Sequence, residues 1–247
     1  MPEHKLQSKL KELINDHKIQ NNKKFKLIIF TGLLGDFDTF EYAQNLHEFT
    51  KSKEYKDNLE ILFFAIGSQK GKEKFCNFTG LSPDHLKVSS DNELHSKFRI
   101  SQGLDIGFGS WINMFLMLSG FSSTKTIKEV LRGYTGDKNG KEIFQDSHQI
   151  NLFNFFKFSG VLFKNTFGNG YLRPFELATY RLINMIEIIS NWNDYILNSD
   201  FLTQRGATFL LNPDDDLVYE YHAREILSYS KDMKEPLRFL IDYLNND

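Results

Sequence analysis

Cysteine is the scarcest residue in this chain, because its 247 residues contain only Cys76. A single cysteine excludes an internal disulfide, a Cys-x-x-Cys pair and a cysteine-rich zinc site. The seven histidines show no metal-ligand spacing such as His-x-x-x-His, so the sequence predicts no metal and no cofactor. The low cysteine content agrees with a reducing compartment, and we expect a cytoplasmic protein.

Net charge is also small, at −2 with 30 basic and 32 acidic residues. Nucleic-acid binding normally needs a strongly basic surface, so nucleic acid is excluded as the main partner. The first twenty residues lack an apolar core like that of a signal peptide. Leu6, Leu10, Leu13 and Ile14 instead recur at helical spacing, which predicts an N-terminal amphipathic helix within residues 1–24.

The one long charge-free run is Ile106 to Thr124. Its length approaches that of a membrane span, but three glycines, five Ser or Thr residues and Asn113 dilute its apolar character. We expect a buried helix there. Peripheral membrane contact, through Trp111 to Phe121 or Phe153 to Phe167, is the disfavoured alternative.

The remaining apolar patterns predict an α/β protein. Four apolar runs read as strands, and helical patterns follow the first, second and last of them. The predicted strands are 25–31, 59–66, 206–211 and 217–221, and the predicted helices are 37–51, 69–79 and 230–244, the last with Ser230 as its N-cap. This order, β-α-β-α, an insertion, then β-β-α, is typical of a thioredoxin-like fold, with a central mixed sheet and helices on both faces.

We therefore expect a single domain over residues 25–247, with a large helical insertion at about 101–205. Within the insertion, residues 174 to about 197 predict one helix roughly 36 Å long. The Phe-rich segment Asn151 to Gly170 contains glycines that argue against one long helix there.

The first predicted strand is followed by a turn, Gly35 to Glu41. Thioredoxin-like thiol enzymes carry their attacking cysteine in the equivalent turn. A helix N-terminus stabilises a thiolate at that position. Here the turn contains Asp36, Asp38 and Thr39 instead. These acids favour a helix-capping role over a metal or acid–base pair.

Several segments resemble, in the same order, a branch of the peroxiredoxin-like proteins, the AhpC/TSA antioxidant group. They are Gly35–Ala43, Ala65–Ser68, Lys74–Gly80, Arg132–Asp137, Arg173–Thr179, Asn184–Glu187 and Arg205–Leu211. The resemblance implies a thioredoxin-like fold and a peroxide-reducing antioxidant role.

Redox-active members of that group carry a cysteine pair in the first strand–helix turn. The resemblance places Asp36 and Thr39 at those two positions, and neither can form a sulfenic acid or a disulfide. Such enzymes also carry a cis-proline just before the third strand, where this chain has Gly206, Ala207 and Thr208. The resemblance therefore implies a degenerate redox turn.

Cys76 has two interpretations. It is either a relocated peroxidatic thiol, which would need an outside thiol reductant, or a buried small hydrophobe between Phe75 and Phe78. Lys72 and Lys74 could lower its pKa. The buried interpretation is favoured.

Seven charged residues in and after the insertion form the most suggestive polar set: Arg132, Asp137, Arg173, Glu176, Arg181, Glu187 and Arg205. Arg173 and Glu176 are three residues apart, a spacing that allows pairing on a helix. Glu176 and Glu187 are eleven apart and share a helical face. The set is either a polar pocket for a small acidic or polar ligand, or an ion-pair network that fixes the insertion. The network is favoured, because buried charges need partners.

Two functions follow from these observations. The family resemblance favours a peroxiredoxin-like antioxidant protein. The missing cysteine pair and the Phe-rich insertion favour a pseudoenzyme, a non-catalytic thioredoxin-fold protein that binds or assembles with a protein partner.

Overall fold

The computed structural model describes residues 3–17, 19, 24–51, 58–120, 123–152 and 156–245. The helices are α1 (Glu3–Asp16), α2 (Phe37–Thr50), α3 (Gln69–Thr79), α4 (Glu93–Lys97), α5 (Ser110–Leu118), α6 (Thr124–Thr135), α7 (Val161–Phe167), α8 (Glu176–Ser190), α9 (Trp192–Tyr195) and α10 (Arg238–Leu244), with a 3-10 turn at Ser199–Phe201. The strands are β1 (Phe25–Leu33), β2 (Leu59–Ile66), β3 (Leu86–Ser89), β4 (Gln149–Leu152), β5 (Phe156–Ser159), β6 (Ala207–Leu211) and β7 (Leu217–His222).

A five-stranded mixed sheet forms the centre, in the order β3-β2-β1-β6-β7. The strands β1, β2 and β3 are parallel, whereas β6 runs antiparallel to both β1 and β7. In the central register Ile28 lies between Leu62 on β2 and Phe209 on β6. The expected mixed α/β architecture is confirmed.

Alternating side chains of the central strands build two apolar clusters, one on each face of the sheet. Leu27 and Ile29 of β1 belong to the cluster that also contains residues of α2, α3, α8 and α10. Ile28 and Phe30 point the other way, into a cluster with α1 and Phe98. Successive residues of a strand face opposite sides, so helices cover both faces of the sheet.

The N-terminal amphipathic helix is present as α1. Its four apolar residues Leu6, Leu10, Leu13 and Ile14 are all buried against the sheet. The rest of the predicted segment includes residues 1, 2, 18 and 20–23, which lie outside the described residues.

Two features of segment 101–205 differ from the sequence prediction. The segment is not helical throughout, because β4 and β5 pair as an antiparallel hairpin. The long helix predicted over 174–197 is also wrong, since α8 ends at Ser190 and α9 is a separate short helix. The Asn191 side-chain amide donates to the Glu187 carbonyl at 3.2 Å and to its carboxylate at 2.9 Å. Asparagine competes in this way with the backbone ladder and favours a break there.

The predicted N-cap of the last helix is also wrong. The Ser230 hydroxyl donates to the Pro236 carbonyl at 2.8 Å, and α10 begins later, at Arg238. A serine hydroxyl can donate as well as accept, so a serine in a turn need not cap a helix.

The charge-free segment 106–124 is not a buried helix. It contains the short helix α5, preceded by Gly107 and Gly109 with φ of 81° and 87°. Phe108 and Phe115 are 69% and 68% exposed, so one face of this segment lies in solvent. Phe121 and Phe153, named for membrane contact, lie outside the described residues. None of the helices in the described part of the chain is long and apolar enough to span a bilayer.

Candidate functional site at the turn between β1 and α2

The turn is set by backbone hydrogen bonds at the end of β1. The Leu34 N–H donates to the Ile66 carbonyl at 2.8 Å, and the Asp36 N–H donates to the Leu33 carbonyl at 3.0 Å. Asp36 is the N-cap of α2, and its carboxylate accepts from the Asp38 N–H at 3.4 Å. A short acidic side chain satisfies an orphan donor of the first helical turn in this way.

Arg205 reaches this turn from the neighbouring strand of the sheet. It precedes β6, whose antiparallel pairing with β1 brings the start of β6 beside the end of β1. Its guanidinium lies 3.4 Å from Asp36 Oδ2 through Nη2 and 3.4 Å from Asp38 Oδ2 through Nη1. The Asp38 carboxylate also accepts from the Leu227 N–H at 2.8 Å. One buried guanidinium therefore joins two carboxylates across the turn.

The backbone segments around this ion cluster approach each other too closely to admit a side chain at Gly206 or Gly32. A Cβ on Gly206 would lie 2.3 Å from the Phe30 carbonyl oxygen, and a Cβ on Gly32 would lie 2.5 Å from the Gln204 carbonyl oxygen. The cavity that remains has a volume of about 10 Å³. A cavity of that size holds about one water molecule. The turn has no room for a larger substrate.

Burial shifts the pKa values of the two acids. It raises the pKa of Asp36, and Arg205 acts in the opposite direction. It also raises the pKa of Asp38 well above its usual range, with a further contribution from the Asp36 charge. One guanidinium faces two buried carboxylates, and the repulsion between them adds to the rise in the pKa of Asp38.

Thr39, at the second position implied for a cysteine, is fully buried. Its hydroxyl has no hydrogen-bond partner within the described part of the chain. No thiol, and no base aligned on the Thr39 hydroxyl, is present at this turn.

Cys76 does not join the turn. It lies in α3, is 7% exposed and packs in the apolar cluster that also contains Leu27 and Ile29 of β1. Burial raises the pKa of its thiol, and Lys72 offsets part of that effect. The cavity at the turn is lined by residues of β1, α2, β6 and the C-terminal segment, without Cys76.

The polar set from the insertion divides into separate clusters. Arg181 on α8 contacts the Glu41 carboxylate at 2.8 Å and the Glu129 carboxylate at 3.4 Å, which ties α8 to α2 and α6. Arg132 pairs with Glu129 at 2.9 Å. Sequence reasoning missed the roles of Glu41 and Glu129. The three-residue spacing of Glu129 and Arg132 on one helix was the available signal.

Arg173 and Glu176 form a second, fully buried pair, with Nη2 and Oε1 2.8 Å apart. The Glu176 carboxylate also accepts from the backbone N–H groups of Ile143 and Phe144 at 2.7 and 2.6 Å. This pair fixes the start of α8 to the segment before the hairpin.

The other members of the set lie apart. Asp137 pairs with Lys234 at 2.9 Å. Glu187 accepts from the Tyr195 hydroxyl at 2.7 Å and does not meet Glu176, although both are on α8. The seven residues therefore do not converge on one pocket.

An open groove lies between α6, α8 and the start of α2. Its volume is about 380 Å³, and its walls are mainly apolar: Phe37, Leu118, Val130, Gly133, Tyr134, Phe175, Ala178, Thr179, Arg181, Leu182, Met185 and Leu227. Tyr134 and Phe175 stand at its edge, each 52% exposed, with their ring centres 6.0 Å apart. The Arg181 charge in this groove is already paired with Glu41 and Glu129.

Fold and site together define a mixed α/β protein with a buried ion cluster at a strand–helix turn and a separate apolar groove. No metal-binding group of three or more His, Cys, Asp or Glu side chains occurs among the described residues. Comparison with family models, with curated proteins and with solved structures gives no match.

Proposed function

We propose that this chain is a thioredoxin-like protein of the peroxiredoxin-like type that acts by binding and not by thiol chemistry. The strand order β2-β1-β6-β7, with helices after β1, β2 and β7, supports the thioredoxin-like assignment. The observation that supports a function without thiol chemistry is the position of Arg205. Its guanidinium lies between the carboxylates of Asp36 and Asp38, in the turn where a thiol enzyme carries its cysteines.

The competing proposal, a peroxidase acting through Cys76, meets two physical obstacles. A peroxidatic thiol must be largely a thiolate and must be reached by peroxide. The Cys76 side chain is covered by the core, and burial raises its pKa. An antioxidant role through this thiol therefore has the family resemblance as its only support.

The groove between α6 and α8 is the binding site of this proposal. Its volume lies within the range of about 300–1,000 Å³ found for small-molecule pockets. Arg181, the charged residue among those that line the groove, is paired with Glu41 and Glu129, so the lining offers no free charge to an acidic ligand. We expect a neutral, apolar ligand, or apolar side chains of a partner protein.

Binding of the neutral apolar dye N-phenyl-1-naphthylamine, followed by its fluorescence, tests this proposal. Val130 lines the groove, and Val130→Phe places a ring in it. We expect the dissociation constant to rise about tenfold or more, because the ring takes the space of the dye. Val161→Phe, on α7 outside the groove, is the matched control and should leave binding unchanged. Equal binding by all three proteins, or no binding by the wild type, refutes the groove as the site.

A further inference from the structure

A second apolar surface lies on α5 and the segment before it. Trp111, Ile112 and Phe115 recur at positions i, i+1 and i+4, which places them on one side of the helix, and Phe108 lies two residues before its start. They are between 49% and 69% exposed, and we call them the α5 patch. Asn113 and Met117, on the opposite side of α5, are buried. The buried side is also largely apolar, since Met114, Met117 and Leu118 pack in one cluster. A helix that is apolar on both sides is expected to be covered on both, and α5 exposes one of them.

The α5 patch continues onto α6. A Cβ on Gly120, just after α5, would lie 2.3 Å from Ile127 Cγ1, so the start of α6 packs beside the end of α5. Ile127 and Leu131 are 41% and 53% exposed, one turn apart on α6. Ile106, at the other end, is 42% exposed. Exposed apolar surface that is contiguous in this way marks an interaction site.

The area of this surface suits a protein interface. Seven side chains take part, each about half exposed, and a fully exposed side chain presents about 200 Å² if aromatic and about 100 Å² if aliphatic. The surface therefore offers roughly 500 Å² per molecule, or about 1,000 Å² in a pair, which is the lower limit for a specific interface.

Charged residues lie at the edges of the α5 patch. Between Ile100 and Thr124 the single charged residue is Asp105, whose carboxylate accepts from the Gly107 N–H at 3.0 Å. On the α6 side, Lys125 and Lys128 are exposed beside Ile127. The charged side chains therefore lie at the edges of the patch, acidic at one end and basic at the other, and its centre carries none.

We propose that the α5 patch is the contact between two copies of this chain, related by a two-fold axis. In such a dimer each copy contributes the same surface, so identical charges would face each other. A patch whose centre carries no charged side chain avoids that repulsion there. Apolar composition and depletion of charge at the centre are also the features that distinguish homodimer interfaces from ordinary surface.

Sedimentation velocity on the full chain, over a concentration series from micromolar to tenth-millimolar, tests the proposal. We expect the wild type to sediment as a dimer. Phe115→Asp and Ile112→Asp each place a carboxylate in the patch and should weaken the dimer tenfold or more. Leu162→Asp, at a 53% exposed position on α7, is the matched control and should remain dimeric. Circular dichroism shows which variants fold, and Ile112→Asp keeps the test available where Phe115→Asp does not fold.

Two results overturn the proposal. One is a wild type that stays monomeric over the whole series; flotation of that monomer with vesicles of phosphatidylcholine and phosphatidylglycerol would then assign the patch to lipid. The other is a dimer of equal strength in the wild type and both α5 variants, because a different surface would then hold the two copies.

Discussion

At the scale of single residues, the buried turn places one guanidinium beside two carboxylates. Arg205 is 1% exposed, and its partners Asp36 and Asp38 belong to an element 167 or more residues away in sequence. A buried ion cluster contributes little net stability when complete, but removal of one member leaves the others unpaired. Arg205 is therefore a structural residue of the turn.

Replacement of Arg205 by methionine should be costly. Arg205→Met leaves Asp36 and Asp38 without a counter-charge, and we expect a loss of about 3–5 kcal/mol in the free energy of unfolding. Urea denaturation measures this loss. The control is Arg238→Met, whose exposed pair with Glu235 should matter by less than about 1 kcal/mol. Equal losses in the two variants would show that Arg205 does not balance the cluster.

Stability should also depend on pH through Asp38. Its raised pKa means that the folded protein binds a proton more tightly than the unfolded chain, whose aspartate titrates near 3.9. The contribution of Asp38 to stability is therefore complete below that value and is lost as pH rises through the folded pKa.

Asp38→Asn removes this titration while keeping the shape of the protonated acid. We expect the stability of the wild type, relative to that of Asp38→Asn, to fall as pH rises above about 4. Urea midpoints of both proteins at a series of pH values measure the difference. A wild type that gains stability relative to the variant over this range would contradict the raised pKa.

At the scale of secondary-structure elements, the sequence predicts what local pattern determines. The continuous apolar run Leu59–Ile66 has the same bounds as β2, because a strand buried on both faces tolerates few polar residues. Local sequence pattern does not predict the helix break at Asn191 or the exposure of α5. The first depends on one side-chain amide. The second depends on which face of an uncharged helix meets the core.

The helix α1 provides a test at this scale. Leu10 is fully buried against the sheet, whereas Ser8 on the same helix is exposed. Leu10→Ala should cost about 2–5 kcal/mol, since it leaves a cavity between α1 and the sheet. Ser8→Ala, the matched control, should change stability by less than about 0.5 kcal/mol. Thermal or urea unfolding distinguishes the two. A small effect of Leu10→Ala would mean that α1 does not pack as described.

At the scale of the whole molecule, the sequence identified the parts of the site but not their arrangement. Asp36 and Arg205 were both singled out, yet Arg205 was grouped with the insertion, because their pairing follows from the contact of β1 with β6. The apolar groove could not be predicted either, since α2, α6 and α8 each contribute only part of it.

Thiol-dependent peroxide consumption tests the central claim most directly. Hydrogen peroxide is followed with dithiothreitol as reductant, for the wild type, for Cys76→Ser and without protein. The account predicts the same rate in all three, because Cys76 is covered and the turn carries Asp36 and Thr39. Wild-type consumption above the protein-free rate that is lost in Cys76→Ser would contradict it.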